Sequence, residues 1–494
     1  MSREQIIWVT ICVYAVFTAA VGYAGNKRSK SMGEFTVGGR NAGAWMSAFS
    51  YGTAYFSAVM FIGYAGGTGW KYGAWGVLPG IGNAILGSWL AWKVLARRTR
   101  AVTRENGIRS MPQLFEKQYG SRAMRLFSAI VIFVFLIPYS ASVYKGLTSV
   151  CSVLLGVDEL VCMIVIAAAS AIIVVAGGYI AALKADFVQG IIMLFGVVFL
   201  IVAVMRCEAV GGLTQGLSRL GSATKALSLS AKDHVGLWAT VLMTSFGTWG
   251  LPQMIHKYYG IRDDREVSRG TVISTVFALV VAGGGYFIGT LSHLFFDKLP
   301  EGGTDYLIPN ILATSGLSDV LVGIVLVLLI AASVSTLSSI TITAASTLAM
   351  DIIQDRFMKD KKKDIAPLTK ALCLEFVVIS FFIAYKGEGT PILDMMSYSW
   401  GIISGSFLVP YVASLYFKKA NACAAWAAMI GGFVCALPPL SAKLAGSQAA
   451  IGSFGRISDM GPHFACAATV VSLLLFLAVG AATKNKASLK KAGV

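Results

Sequence analysis

Apolar residues run along this chain in long blocks. Residues 321–350 carry thirty positions without a charge, and residues 160–183 carry twenty-four. About twenty apolar residues cross a bilayer as a helix. Lipid offers no partner to a bare N–H or C=O, so such blocks must be helical. The alternation at period two that a membrane β-barrel requires is not visible. The pattern predicts an all-α polytopic membrane protein with about thirteen spans: 5–25, 43–69, 74–96, 123–148, 158–178, 183–205, 236–256, 268–296, 318–350, 367–386, 391–417, 420–440 and 463–483.

Composition agrees with this pattern. The chain has 494 residues, 56% hydrophobic and 13% charged, against about 25% charged in a soluble domain. Its net charge of +17 comes from basic residues in short loops, where they set topology, and gives no reason to expect a nucleic-acid partner. With the N-terminus outside, the inside segments hold 30 of the 41 Lys and Arg and the outside segments 11. That bias predicts an inner (plasma) membrane protein with a cytoplasmic C-terminus. Residues 6–24 are too long for the apolar part of a signal peptide, and Lys27, Arg28 and Lys30 follow them, so they are read as a retained first helix. Eight scattered cysteines without a CxxC pair suggest neither a disulfide framework nor a zinc site.

Two spans are interrupted. The second contains Ser47–Ser57 and then Gly63, Gly66, Gly67 and Gly69; the seventh contains Ser245-Phe-Gly-Thr-Trp-Gly-Leu-Pro-Gln253. Glycine and proline free backbone groups that need other partners. The two interruptions lie five spans apart, in opposite orientation, as expected of paired broken helices around a transporter site. The alternative is helix packing, which also uses small residues.

Polar side chains inside the apolar blocks supply the candidate chemistry. In the ninth span Ala332, Ser335, Thr336 and Ser339 fall at offsets 0, 3, 4 and 7 and share one helix face. Hard cations prefer oxygen ligands, so this hydroxyl stripe suits sodium. It equally suits hydroxyls that bond back to their own helix. Asp186 lies just inside the sixth span, where a carboxylate is a functional candidate; the alternative is an interfacial ion pair with Lys184 or a loop arginine. Glu375 and Asp394 are weaker candidates near span ends. His234, His256, His293 and His463 fall near different span ends, which argues against a membrane-embedded enzyme.

The order of these features resembles the sodium/solute symporter family. The matching residues are Val37-Gly-Gly-Arg40, the Ser50–Ser57 stretch, Gly177-Gly178 ahead of Asp186-Phe-Val-Gln189, Trp249-Gly-Leu-Pro-Gln253, and the Ala-x-x-Ser-Thr-Leu-Ser-Ser run ending at Ser339. They are collinear over residues 1–420. The resemblance implies a LeuT-type core of two inverted five-helix repeats, at 42–206 and 236–417, with peripheral helices at 1–41 and 420–494. It implies alternating-access symport of sodium and a small organic solute, without an organic cofactor. A sodium site is implied at Thr53, Phe56 and Ala332 (carbonyls) with Ser335 and Thr336 (hydroxyls). A second site, used by some members, would fall on Asp186, Ser335, Ser338 and Ser339, which leaves one or two sodium ions per cycle. Thr53 departs from the alanine frequent there in the family and adds a hydroxyl. Solute contacts are expected at Ser57, Tyr139, Thr244, Phe246 and Trp249, aromatic faces with a few hydrogen-bonding groups. A sensor built on a transporter core and a channel are the other readings, and the former would need a separate signalling partner.

Overall fold

The structure is a computed structural model. It describes residues 40–358, 360, 364–387, 390–417 and 421–491, with scattered positions before residue 40, and leaves out the side chains of 173, 176–180, 453 and 484–491. The first expected span and Val37-Gly-Gly therefore lie largely outside the described residues. Among the described residues the chain is helical throughout and forms no β-strand, only isolated bridges between Ala42 and Ile261 and between Ala450 and Arg456.

Eight helical stretches are long and apolar enough to cross a membrane: Arg122–Leu155, Ala181–Arg206, Asp264–Phe295, Asp319–Phe357, Ala366–Lys386, Ile392–Tyr416, Ala422–Leu444 and Gly461–Thr483. They coincide with expected spans four, six and eight to thirteen. The shortfall has physical causes. The second and seventh spans are broken into shorter pieces, whereas the third changes helix type without leaving helical dihedrals between Leu78 and Glu105. The fifth is present as the apolar stretch Glu159–Ile172, part of one helical run of 48 residues, Glu159–Arg206. That run is more than twice the length one crossing needs.

Burial separates the centre of the bundle from its rim. The apolar window of Ile392–Tyr416 is 89% buried and that of Asp319–Phe357 is 78% buried, whereas that of Gly461–Thr483 is only 17% buried. Outward-facing Phe195, Phe199, Leu474 and Leu477 are exposed, as lipid-facing side chains would be. The helix Asp319–Thr347 runs through the middle, packed against Arg122–Leu155 and Glu159–Arg206. Close backbone approach depends on glycine at one crossing: a Cβ on Gly69 would overlap the Gly289 carbonyl, and one on Gly289 would overlap the Ala65 carbonyl.

Both interruptions are real breaks. The helix Ala44–Tyr55 stops at Phe56, whose backbone is extended (φ −105°, ψ 93°). The chain then resumes as a π-helical turn, Val59–Ala65, and a short helix, Gly66–Tyr72. In the seventh span the helix Ala231–Phe246 tightens into a 3₁₀ turn at Gly247–Gly250. Leu251 is extended (φ −81°, ψ 120°), and Pro252 opens a new helix, Pro252–Tyr259. Proline suits that first position because it donates no N–H there.

Candidate functional site

A helix end leaves its last carbonyls without intrahelical donors, and the break at Phe56 places such an end deep in the protein. The hydroxyl helix meets it there. Thr336 Oγ1 lies 3.1 Å from the Thr53 carbonyl and 3.4 Å from that of Ala54, and it also reaches the Ala332 carbonyl at 3.0 Å. Ser335 Oγ lies 2.8 Å from Thr53 Oγ1 and 2.6 Å from Asp186 Oδ1. Thr53, Ala332, Ser335 and Thr336 thus form one buried group of oxygens. The back-bond from Thr336 to Ala332 exists, but the same hydroxyl also bridges to the broken helix. Phe56 ends that helix with its ring stacked on Tyr55 at 4.2 Å; none of these hydrogen bonds includes it.

The far side of Ser335 is different in kind. Asp186 is buried, with 1% of its side chain exposed, and its partner is Lys257, at 3.2 Å from Asp186 Oδ2. Lys257 Nζ also donates to Ser50 Oγ and Ser339 Oγ, both at 2.8 Å. Ser50 hydrogen-bonds Asp186 in turn. Neither Lys184 nor a loop arginine is the partner in this pair. Ser338 is buried, and its hydroxyl makes no hydrogen bond among the described residues.

Lys257 was missed because hydropathy ends the seventh span at residue 256 and leaves it among the loop charges. It belongs instead to the helix Pro252–Tyr259, buried with 4% of its side chain exposed. Moving one lysine out of the loop count barely changes the charge bias. The readable signal was the helix restart at Pro252: Gln253 and Lys257 lie four apart on one face. Gln253 is also buried, and its amide makes no hydrogen bond among the described residues.

The expected solute residues lie around the same breaks. Thr244 uses its carbonyl to accept from Tyr55 Oη at 2.6 Å. Phe246 and Trp249 meet with centroids 5.2 Å apart, and Trp249 Nε1 donates to the Leu86 carbonyl at 3.1 Å. Tyr139 meets Trp400 edge to face at 5.6 Å, and Tyr55 stands 6.2 Å from Trp400. Ser57 lies within the first break, where its Oγ accepts from Val59 N. Buried polar groups are normally paired. Tyr139 Oη is buried with the polar groups of Ser57 and Trp400 beside it. Tyr55 and Trp400 were not singled out in the sequence; an aromatic set among Ser397, Ser399, Gly401 and Ser404 was the available cue.

Residues 35–432 match the model of the sodium:solute symporter family. The high-affinity proline transporter PutP of Bacillus subtilis is 26% identical over 83% of this chain and 87% of its own length. The sodium/pantothenate symporter of Haemophilus influenzae is 24% identical over 87% of this chain and 89% of its own. A sodium-coupled sialic acid symporter, solved in a substrate-bound outward-open state, shares the fold with a TM-score of 0.74 over 95% of this chain and 97% of its own, at 17% identity. The chain belongs to the sodium:solute symporter family.

Proposed function

We propose that this chain imports a small carboxylate-bearing organic solute with sodium, and that sodium binds where the hydroxyl helix meets the first break. The observation that carries the proposal is the meeting, at the break, of Ser335 with the Thr53 hydroxyl and of Thr336 with the Thr53 carbonyl. Hydroxyls and freed carbonyls replace the water of a hard cation without a fixed charge, and such a site holds its ion weakly enough to release it. Thr53, Phe56 and Ala332 would offer carbonyls, and Ser335 and Thr336 hydroxyls.

The solute would contact Ser57, Tyr139, Thr244, Phe246 and Trp249, with Tyr55 and Trp400 beside them. Proline, pantothenate and sialic acid, carried by the relatives named above, all bear a carboxylate. The second halves of the two broken spans begin beside this region, and helix N-termini favour an anion. The core would be LeuT-type, with inverted repeats at 42–206 and 236–417, peripheral segments at 1–41 and 420–494, thirteen crossings, and an outside N-terminus and cytoplasmic C-terminus. The sodium gradient drives import, each charge gaining about 2.3 kcal/mol per 100 mV. In proteoliposomes, a panel including proline and pantothenate should show uptake that requires an inward sodium gradient. Equal uptake in potassium alone would refute the coupling.

A further inference from the structure

Lys257 offers a chemistry that the symport reading does not use. Its ammonium sits among Asp186, Ser50 and Ser339, within 3.2 Å of the carboxylate and 2.8 Å of each hydroxyl. Asp186 and Ser339 are two of the four positions at which the family resemblance would put a second sodium ion. A third, Ser335, is held by the other carboxylate oxygen at 2.6 Å. Two of the four side chains of that second site, Asp186 and Ser339, are therefore turned toward a cation already covalently part of the chain.

We infer that the Lys257 ammonium is a built-in cation that takes the place of a second sodium ion, so that this chain couples one sodium ion to each solute. The inference rests on the symport reading and concerns its stoichiometry.

Three observations support a substitution over an incidental ion pair. First, the polar contacts of Lys257 include oxygens from the first broken span, the sixth span and the ninth span. A resident cation thereby ties the second broken span to these three elements. Second, the ammonium has little space to leave in this conformation. The cavity beside it, lined by Ala182, Gln253, His256, Ser339, Ile342 and Thr343, measures about 10 Å³, room for roughly one water. Third, an ion pair placed here has an electrostatic reason. A lone carboxylate within a span is costly, and a buried charge persists when paired and hydrogen-bonded. Sodium and lysine satisfy that requirement equally, but both cannot occupy the same oxygens. The sodium group around Thr53 and Thr336 contains no charged residue, so it stays available for the transported ion.

The test counts sodium bound by the purified full chain, using radiolabelled sodium at saturating concentration. Wild type should bind one ion. Lys257→Ala removes the resident cation and leaves Asp186 with its ligands; it should bind two. Lys257→Gln keeps the stem without the charge and provides the same reading if the alanine variant does not fold. Adding Asp186→Asn to either variant should return the count to one and place the extra ion at Asp186. Two ions in wild type would overturn the inference, as would one ion in a folded Lys257 variant. Zero ions in wild type would instead sink the symport reading beneath it.

Discussion

Two ends of one helix face handle positive charge in opposite ways. Around Thr336 the oxygens are neutral and come from carbonyls and hydroxyls of two helices. Around Ser339 they include a carboxylate and already surround an ammonium. Ser335 joins the two groups, with Thr53 on one side and Asp186 on the other. Similar side chains along one stripe can thus serve a mobile ion at one end and a fixed one at the other. The difference is set by what the neighbouring broken helix brings. The first break supplies carbonyls, and the helix after the second break supplies Lys257.

The largest expected effect comes from breaking the charged end. Asp186→Asn leaves Lys257 as an uncompensated buried charge, and removing one partner of a buried pair costs about 3–5 kcal/mol. The variant should melt well below wild type. The Asp186→Asn/Lys257→Gln double variant should recover much of the loss. A double variant no more stable than Asp186→Asn would argue against the pair as the source of the cost.

A smaller effect is expected in the solute region. Tyr139→Phe removes a hydroxyl whose polar neighbours, Ser57 and Trp400, hold it outside ideal hydrogen-bond geometry, so thermal stability should change little. If that hydroxyl serves the solute, apparent solute affinity should fall by about 3–10-fold, the worth of a net hydrogen bond of about 0.5–1.5 kcal/mol. The sodium dependence should stay put. Equal shifts in both would show that the two regions are not separable.

A third effect sharpens the contrast between buried carboxylates. Asp305, outside the spanning helices, accepts from Ile392 N at 3.0 Å, while its other oxygen is buried without a hydrogen bond among the described residues. Burial pushes its carboxyl up to about 6, against the opposing pull of the Ile392 N–H and of Lys145. A raised value means the folded protein holds the proton more tightly than the unfolded chain. The stabilisation is complete below the unfolded value of about 3.9 and is lost as pH rises through about 6. Asp305→Asn should flatten this part of the melting-temperature profile between pH 4 and 6 (approximate limits). An unchanged slope would show that another group sets it.

The sequence made some of this visible and hid the rest for physical reasons. The break at Leu251 was legible because Pro252 interrupts the run, whereas the break at Phe56 has no glycine or proline beside it and Gly63–Gly69 lie in the helical turns that follow. The hydroxyl stripe was legible because Ser335, Thr336 and Ser339 share a helical face. The partner of Asp186 was hidden because hydropathy treats any lysine at a span edge as a loop charge, and only the tertiary fold turns Lys257 inward. Trp400 was harder to see because its one local cue, small polar neighbours at Ser397, Ser399, Gly401 and Ser404, does not name the aromatic cluster it joins. The fifth and sixth spans could be separated on paper, yet helical hydrogen bonding runs from Glu159 to Arg206.

The central claim is that transported sodium uses the Thr336 end of the stripe and not the Ser339 end. The direct measurement is the sodium concentration for half-maximal solute transport in Thr336→Ala and Ser339→Ala. Hydrogen-bonding groups that face a charge are worth about 1.5–3 kcal/mol, so Thr336→Ala should raise that concentration by about 10-fold or more. Ser339→Ala, which removes only a contact to Lys257, should leave it within about 2-fold, inside the scatter of such context-dependent contributions. A large shift in Ser339→Ala with none in Thr336→Ala would contradict the account.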